Sequence, residues 1–370
     1  MARFDLVVVG AGIVGAACAE AAAGEGLRVA VVESETIGGG TTSAAMGHVV
    51  ALDGTPEELA FAAWSQQLWQ RFAASSGIEL NRCGTLWLAP DDAALAELSK
   101  QKQRMAQAGV NADMVNQTML YRLEPELAPG LVGALRVSGD MVIYPPAAAR
   151  LLMDVACCNG AELFSGRRVL EVLSGGVRLD DGEELTGQVL LACGLALPEF
   201  LPELPLYPRK GYLAITDRHP RLIKHQLIEA GYVDSAKSTE EDSVAFNVQP
   251  RPGGQILIGS TRETGNTDAS IDPEMLARML RRATGFLPAL RPMQVIRVWS
   301  GFRPTTADGR PYLGAVPGRD DVWVAAGHEG LGVTLALGSA RVLIDQVLGR
   351  APTLALDCFS PERVVRGAAA

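Results

Sequence analysis

A glycine triplet set between an apolar strand and a small-residue helix constrains this chain more than any other feature. Residues 4–9 form a nearly continuous apolar run, the pattern of a parallel strand buried on both faces, and run directly into Gly10-Ala11-Gly12-Ile13-Val14-Gly15. Residues 16–23 read as a helix of small residues ending near Gly24 and Gly26, and residues 28–32 as a second apolar strand closed by Glu33 and Ser34. This is a β-α-β unit with G-x-G-x-x-G at its first turn. Gly10 permits the tight turn, Gly12 lets backbone approach a pyrophosphate, and Gly15 lets helix pack on strand. The helix N-terminus, with Ile13 and Val14 of the glycine turn leading into it, faces the phosphate charge. The Glu33 carboxylate can accept from both hydroxyls of an adenosine ribose, which also disfavours a 2′-phosphate.

After Glu33 the chain does not continue as regular βα repeats. Residues 37–48 are small or hydroxyl-bearing, which suits backbone laid along a long ligand, with the Thr41, Thr42 and Ser43 hydroxyls on phosphates or a ribityl chain and Gly47 and His48 at the far end. The plainer reading of that stretch is a flexible loop. A second glycine-rich segment, Gly327-His328-Glu329-Gly330-Leu331-Gly332, opens a helix over residues 333–348, beginning at Val333 and Thr334 and stopped by Gly349. It can present a helix N-terminus and close backbone to a flavin ring. Two cradles so far apart in sequence suit FAD, the longer dinucleotide. With one fingerprint and no second nucleotide site, electrons must come from an organic substrate rather than from NAD(P)H.

Length and composition bound the remainder. At 370 residues the chain exceeds what one core usually encloses, so two domains are expected. Apolar residues make up 48% and charged residues 20%, and no apolar run approaches the roughly 18 to 20 residues of a membrane span. The opening Met-Ala-Arg-Phe-Asp lacks the basic n-region of a signal peptide, so a soluble cytoplasmic protein is expected. A net charge of −9 without a basic run argues against a nucleic-acid partner. The six cysteines include no C-x-x-C pair and read as mostly buried apolar fillers; the four histidines are too dispersed for a local metal cluster, and no metal is expected.

The Gly10–Gly15 triplet with Glu33, the Thr41-Thr42-Ser43 stretch, Val189-Leu190-Leu191-Ala192-Cys193-Gly194, residues 301–311 around Arg303, and residues 327–332 together resemble the D-amino-acid oxidase superfamily of FAD enzymes. The resemblance spans nearly the whole chain and keeps the order of the motifs. Ala44-Ala45-Met46-Gly47-His48 with the Gly327–Gly332 motif look most like the FAD (β) subunit of bacterial D-hydroxyproline dehydrogenases, with opine oxidases nearby. That resemblance implies an α/β fold: a Rossmann-type FAD-binding domain of residues 1–80, 145–205 and 296–370, and an interleaved α+β substrate domain of 81–144 and 206–295 built on an antiparallel sheet. It also places the backbone at Val169 against adenine, and Ala192 and Gly194 at the last strand before the chain crosses over.

For such an enzyme the resemblance implies hydride transfer from the α-carbon of a neutral amine to flavin N5. Arg303 occupies the position of the family's carboxylate-binding arginine, whose planar fork permits a bidentate pair; the alternative is a surface salt bridge. Tyr212 and Tyr232 fall where family tyrosines cover the substrate, or are packed sheet aromatics. His48 and His328 reach flavin or substrate, or are hydrogen-bonded structural histidines; Glu329 is a candidate to steer an ammonium group. Trp299-Ser300-Gly301 offers no cysteine for covalent attachment, so FAD is expected to be noncovalent. The expected substrate is a small amino acid or cyclic amine, foremost cis-4-hydroxy-D-proline, with electrons passed to a partner subunit. The alternatives are a glycine/sarcosine-type or opine oxidase using O2, and a 2-hydroxy-acid oxidoreductase. A non-catalytic or tRNA-modifying flavoprotein is disfavoured by the acidity and by Arg303. Two capping signals and two turns complete the reading: Thr55-Pro56-Glu57-Glu58 starts a helix ended by Gly77, residues 91–108 form another ended by Gly109, and Asp181-Gly182 and Gly253-Gly254 close hairpins.

Overall fold

The computed structural model describes residues 2–52, 54–232, 242–354 and 357–367. The N-terminal unit forms as its sequence requires. Strand Ala2–Val9 lies between Val29–Glu33 and Glu184–Leu191, all parallel, with Glu162–Ser165 outermost. Its side chains alternate between two cores: Leu6 and Val8 pack under the fingerprint helix Ile13–Gly24, while Val7 and Val9 pack on the opposite face. Burial on both faces is why the strand reads as a continuous apolar run. A methyl group at Gly15 would fall 1.9 Å from the Gly10 carbonyl oxygen, so helix and strand meet at backbone distance only because that position has no side chain. The hairpin of Val169–Leu173 and Gly176–Leu179 pairs with the first part of Glu184–Leu191, and Arg319–Ala326 pairs in parallel with its last part.

A second eight-stranded sheet runs in the order Val295–Thr305, Tyr207–Arg218, Gln255–Thr264, Ser243–Pro250, Gln226–Glu229, Thr85–Ala89, Gly133–Val137, Ala112–Asn116. It is antiparallel except where Gln226–Glu229 runs parallel to Thr85–Ala89. Helix Pro273–Phe286 covers one face through Met275, Met279 and Phe286, which pack on Phe246 and its neighbours. The segment expected to return to the FAD side at residue 296 begins inside this sheet: Val295–Thr305 pairs along its length with Tyr207–Arg218. A small sheet of His48–Val49, Met141–Ile143 and Leu80–Asn81 bridges the two large ones.

The helical signals are realised. Thr55 and Glu58 form a reciprocal capping box at helix Pro56–Ser76, which ends at Gly77 with φ 71°; Asp91 caps Asp92–Gln107. Helix Gly332–Val347 packs against both Ile13–Gly24 and Pro56–Ser76. Among the described residues one helical stretch, Glu329–Val347, is long and apolar enough to cross a membrane, but 67% of its apolar window is buried inside the protein, which accounts for its composition. The cysteines depart from the filler reading in part: Cys18 is buried, whereas Cys157 and Cys158 are exposed.

The contact at Gly15 generates an expectation. Gly15→Ala should force the fingerprint helix off its strand and destabilise the protein by roughly 1 to 3 kcal/mol, the usual cost of overpacking, read as a lower midpoint in denaturant unfolding. An unchanged midpoint would show that the helix can move away freely.

Candidate functional site

Between the two sheets lies a cleft of about 1090 Å³, counting the part open to solvent. Strand alternation builds its floor, because every second residue of neighbouring strands faces the same side. Gly301 and Arg303 come from the edge strand, Gly211 and Leu213 from the next, Ser260 and Arg262 from the third, and Asn247 from the fourth. One wall is the stretch from Thr41 to His48, and the opposite wall is the second glycine-rich turn from Glu329 to Val333.

Arg303 lies over a bare backbone. A Cβ at Gly211 would be 2.7 Å from Arg303 Nη1 and 2.8 Å from Nη2, and Nη1 donates to the Thr261 carbonyl at 3.2 Å. Burial pulls the pKa of this guanidinium down, and the nearby Glu329 carboxylate counters the pull. Glu329 Oε1 stands 3.9 Å from Arg303 Nε and 3.7 Å from Arg209 Nη1. Tyr232 completes the group: Arg262 stacks 4.7 Å from its ring centre, and Ser260 Oγ donates to its hydroxyl at 3.4 Å. Burial raises the phenol pKa, yet the positive charges of Arg262 and Arg303 more than offset this and the net direction is down.

The two histidines resolve differently. His48 lines the cleft with both ring nitrogens engaged, Nδ1 with Gln226 Oε1 and Nε2 as acceptor from Asn247 Nδ2 at 3.1 Å. Burial lowers its pKa to about 4, which keeps the ring neutral. His328 does not line the cleft. It is buried beneath the glycine-rich turn, with Nε2 3.0 Å from Ser339 Oγ, and burial lowers its pKa to about 4 as well. Thr334, likewise buried, donates to the His48 carbonyl and accepts from Val50 N, tying the second turn to the bridging sheet. Trp69 Nε1 and Ser65 Oγ donate to the Val333 and Thr334 carbonyls.

At the other end, Ile13, Thr41 and Thr42 line the cleft where it meets the fingerprint helix. That helix starts at Gly12 with no cap from the Gly12 position itself; Ile13 N is taken by Thr42 Oγ1, and the first-turn amides that follow it can face an anion. Helix Gly332–Val347 also starts without a side-chain cap, at Leu331. Glu33 Oε2 accepts from Ala11 N at 2.7 Å and Oε1 from Glu35 N at 2.9 Å, which fixes the carboxylate while each oxygen keeps a second lone pair. Residues 166 and 167 donate their amides to the Glu33 carbonyl, bringing the chain just before Val169 beside Glu33 and the exposed Ser34. Ala192 follows strand Glu184–Leu191 and crowds Gly10, whose φ is 100°; Gly194 and Gly327 also take positive φ. Bare glycines, two uncapped helix starts and a fixed carboxylate fit an extended dinucleotide.

The hydroxyl stretch differs from expectation. Residues 40–44 form the short helix Gly40–Ala44, and all three hydroxyls have protein partners. Thr42 Oγ1 accepts from Ile13 N at 3.0 Å, Thr41 Oγ1 donates to the Phe302 carbonyl at 2.8 Å, and Ser43 Oγ donates to the Gly40 carbonyl. Tyr212 is not at the cleft. Its neighbours Gly211 and Leu213 face it, so Tyr212 points to the other side of the sheet, buried with Phe246, its hydroxyl accepting from Asp272 N and Lys210 Nζ over its ring. Sequence reasoning missed Arg262, Ser260 and Asn247. The alternation of Ser260 and Arg262 after the Gly253-Gly254 turn was the available signal. Among the described residues no three of His, Cys, Asp and Glu gather as a metal site.

The comparisons with known proteins agree with this geometry. A family model described as FAD dependent oxidoreductase (DAO) matches residues 5–346. Glycine oxidase from Pseudomonas aeruginosa is 32% identical, with 96% of this chain and 98% of that protein covered. Glycine oxidase from Bacillus licheniformis is 28% identical, with 98% of each covered. Among solved structures, glycine oxidase from Geobacillus kaustophilus superposes with a TM-score of 0.87 at 26% identity, covering 97% of this chain and 98% of that one. L-proline dehydrogenase from P. horikoshii has a TM-score of 0.89 at 22% identity over 99% of both chains, a likeness of fold.

His328 generates a pH expectation. Its pKa is about 4 folded against 6.5 for the unperturbed group, so its contribution is full above pH 6.5 and is lost as pH falls toward 4, on the order of 3 kcal/mol. Asp140 acts in the opposite sense: burial raises its pKa from 3.8 to about 6, so it favours the folded state below pH 6 and offsets a loss of about that size, while His48, also held near 4 by burial, repeats the His328 loss over the same pH range. Thermal midpoints of the wild type should therefore fall from pH 6.5 to 4, and His328→Gln should flatten that fall. Parallel pH profiles would contradict a neutral buried His328.

Proposed function

This chain belongs to the family of FAD-dependent oxidoreductases and is itself an enzyme that holds FAD noncovalently and acts on an amino-acid-type substrate, and from that premise we propose that it oxidises a small α-amino acid or N-substituted glycine anchored on Arg303. The observation that carries this reading is the guanidinium laid across Gly211 beside the second glycine-rich turn. A fork held in that way offers a substrate carboxylate two parallel charge-assisted bonds. The glycine oxidase relatives support a compact substrate such as glycine or sarcosine over cis-4-hydroxy-D-proline, the substrate expected from the branch resemblance.

In this reading the ribose of FAD is held by Glu33, the pyrophosphate by the Gly10–Gly15 turn and the start of helix Ile13–Gly24, and the flavin end by the turn from Gly330 to Val333. The FAD-binding domain takes residues 1–80, 145–205 and the chain after Thr305. FAD, when bound, supplies the acceptor for a hydride from the substrate α-carbon. The chain's residues bind and orient. Arg303 fixes the carboxylate, Tyr232 covers it with a phenol that Arg262 and Arg303 polarise, and Leu213 and Ile228 exclude water from the floor. His48, neutral and bonded at both nitrogens, holds the wall in place and transfers no proton. Effective catalysis then rests on placement. We take O2 as the acceptor that completes the cycle, since the glycine oxidase relatives carry oxidase names, although a D-amino acid dehydrogenase and a hydrogen cyanide synthase subunit are similar to this chain as well.

Arg303→Lys should raise the apparent KM for glycine or sarcosine about ten- to hundredfold, because loss of a bidentate charge-assisted contact costs roughly 1.5 to 3 kcal/mol, while FAD content stays constant. Unchanged kinetics would remove Arg303 from the substrate site. Mixing substrate-reduced wild type with air-saturated buffer checks the acceptor: fast reoxidation supports O2, and slow reoxidation that an acceptor dye accelerates returns the partner subunit.

A further inference from the structure

We propose that Glu329 receives the amine of the substrate through Oε1 and thereby selects an amino acid over the 2-hydroxy acid of the same shape. The assignment rests on the amino-acid oxidation reading above and extends it to the group that distinguishes the two substrate classes. Glu329 lines the cleft beside Arg303. Its two oxygens have different surroundings. Oε2 accepts from the Gly330 amide, whereas Oε1 is buried and has no hydrogen-bond partner among the described residues. Its nearest cations, Arg209 Nη1 at 3.7 Å and Arg303 Nε at 3.9 Å, hold it electrostatically but lie beyond hydrogen-bond length. A buried carboxylate oxygen left without a donor is costly, and the cost calls for an explanation.

The backbone adds a second observation. Glu329 has φ 49°, in the left-handed region where glycine is easier, and it stands between glycines at 327 and 330 in a turn that already uses that residue type freely. A carboxylate kept in a strained position at the edge of a cleft points to a role there. Chemistry supplies that role. With the carboxylate of an α-amino acid on Arg303, the amino nitrogen is one carbon away and falls next to the neighbouring acid. An ammonium offers three donors and a positive charge, and an uncharged 2-hydroxyl offers one donor. The carboxylate therefore favours the amine by charge as well as by hydrogen bond, while Arg303 reads what the two substrates share.

The test compares binding of glycine, sarcosine and glycolate to the protein loaded with FAD and held fully reduced under anaerobic conditions, where none of the three can be oxidised, by isothermal titration calorimetry, in wild type and in Glu329→Gln. Glutamine keeps the shape and an oxygen for the Gly330 amide. The affinity ratio of glycine to glycolate should fall about tenfold or more, with FAD content unchanged, and Glu329→Gly, which relieves the positive φ, should lose the ratio too. A ratio that stays constant, whether all affinities fall together or all carboxylates bind more tightly, overturns the assignment and makes Glu329 a counter-ion of the arginines. Wild-type protein that binds glycolate but neither glycine nor sarcosine overturns the amino-acid reading itself, and this assignment with it.

Discussion

The absence of a side chain at Gly15 is the constraint from which the rest follows. With 1.9 Å between a notional methyl group and the Gly10 carbonyl oxygen, the fingerprint helix can begin directly at the end of the first strand. That position hands the Ile13 amide to Thr42 Oγ1, and the adjacent Thr41 Oγ1 reaches the Phe302 carbonyl, one residue before Arg303. A second close approach secures the joint, since a Cβ at Gly301 would meet Ala44 Cβ at 2.3 Å. The dinucleotide end and the arginine end of the cleft are thus connected by two adjacent threonines and two bare glycines. The hydroxyl stretch that reads as a ligand loop in sequence is the connector between sheets.

Local signals were legible and distant registers were not. Glycine triplet, strand apolarity and terminal Glu33 identify the first unit because each is a short-range requirement of one turn. The capping box at Thr55 and Glu58 and the turns at Gly182 and Gly254 are local in the same way, and all appear where the residues require them. The two tyrosines show the limit. Tyr212 and Tyr232 look alike in sequence, and only the pairing of Gly211 with Gly301 decides that Tyr212 faces away from the cleft. His48 carries no mark of its partners either, because Gln226 and Asn247 come from strands 178 and 199 residues further along. Arg303 was found through resemblance, while Arg262 sits two strands away, beyond the strand of Gly211, and depends on the same unseen register.

Charge placement gives the cleft its character. Arg209, Arg262 and Arg303 bring guanidinium groups to one end, and Glu329 is the carboxylate set among them. Both nearby histidines are held neutral by burial, so the positive field does not vary with the protonation of imidazole near neutral pH. Fixed charges in a partly enclosed site act without reorganising when a substrate arrives, which is where such groups contribute most. The same field lowers the phenol pKa of Tyr232 and strengthens it as a donor to a bound carboxylate.

The central claim is that a carbon–hydrogen bond next to an amine is broken in this cleft with its electrons passing to the flavin. The most direct measurement is anaerobic rapid mixing of the FAD-loaded protein with glycine or sarcosine, ordinary and deuterated at the α-carbon, while flavin absorbance is followed. The expected result is bleaching by the ordinary substrate and distinctly slower bleaching by the deuterated one. A flavin that no small amino acid bleaches would contradict the claim.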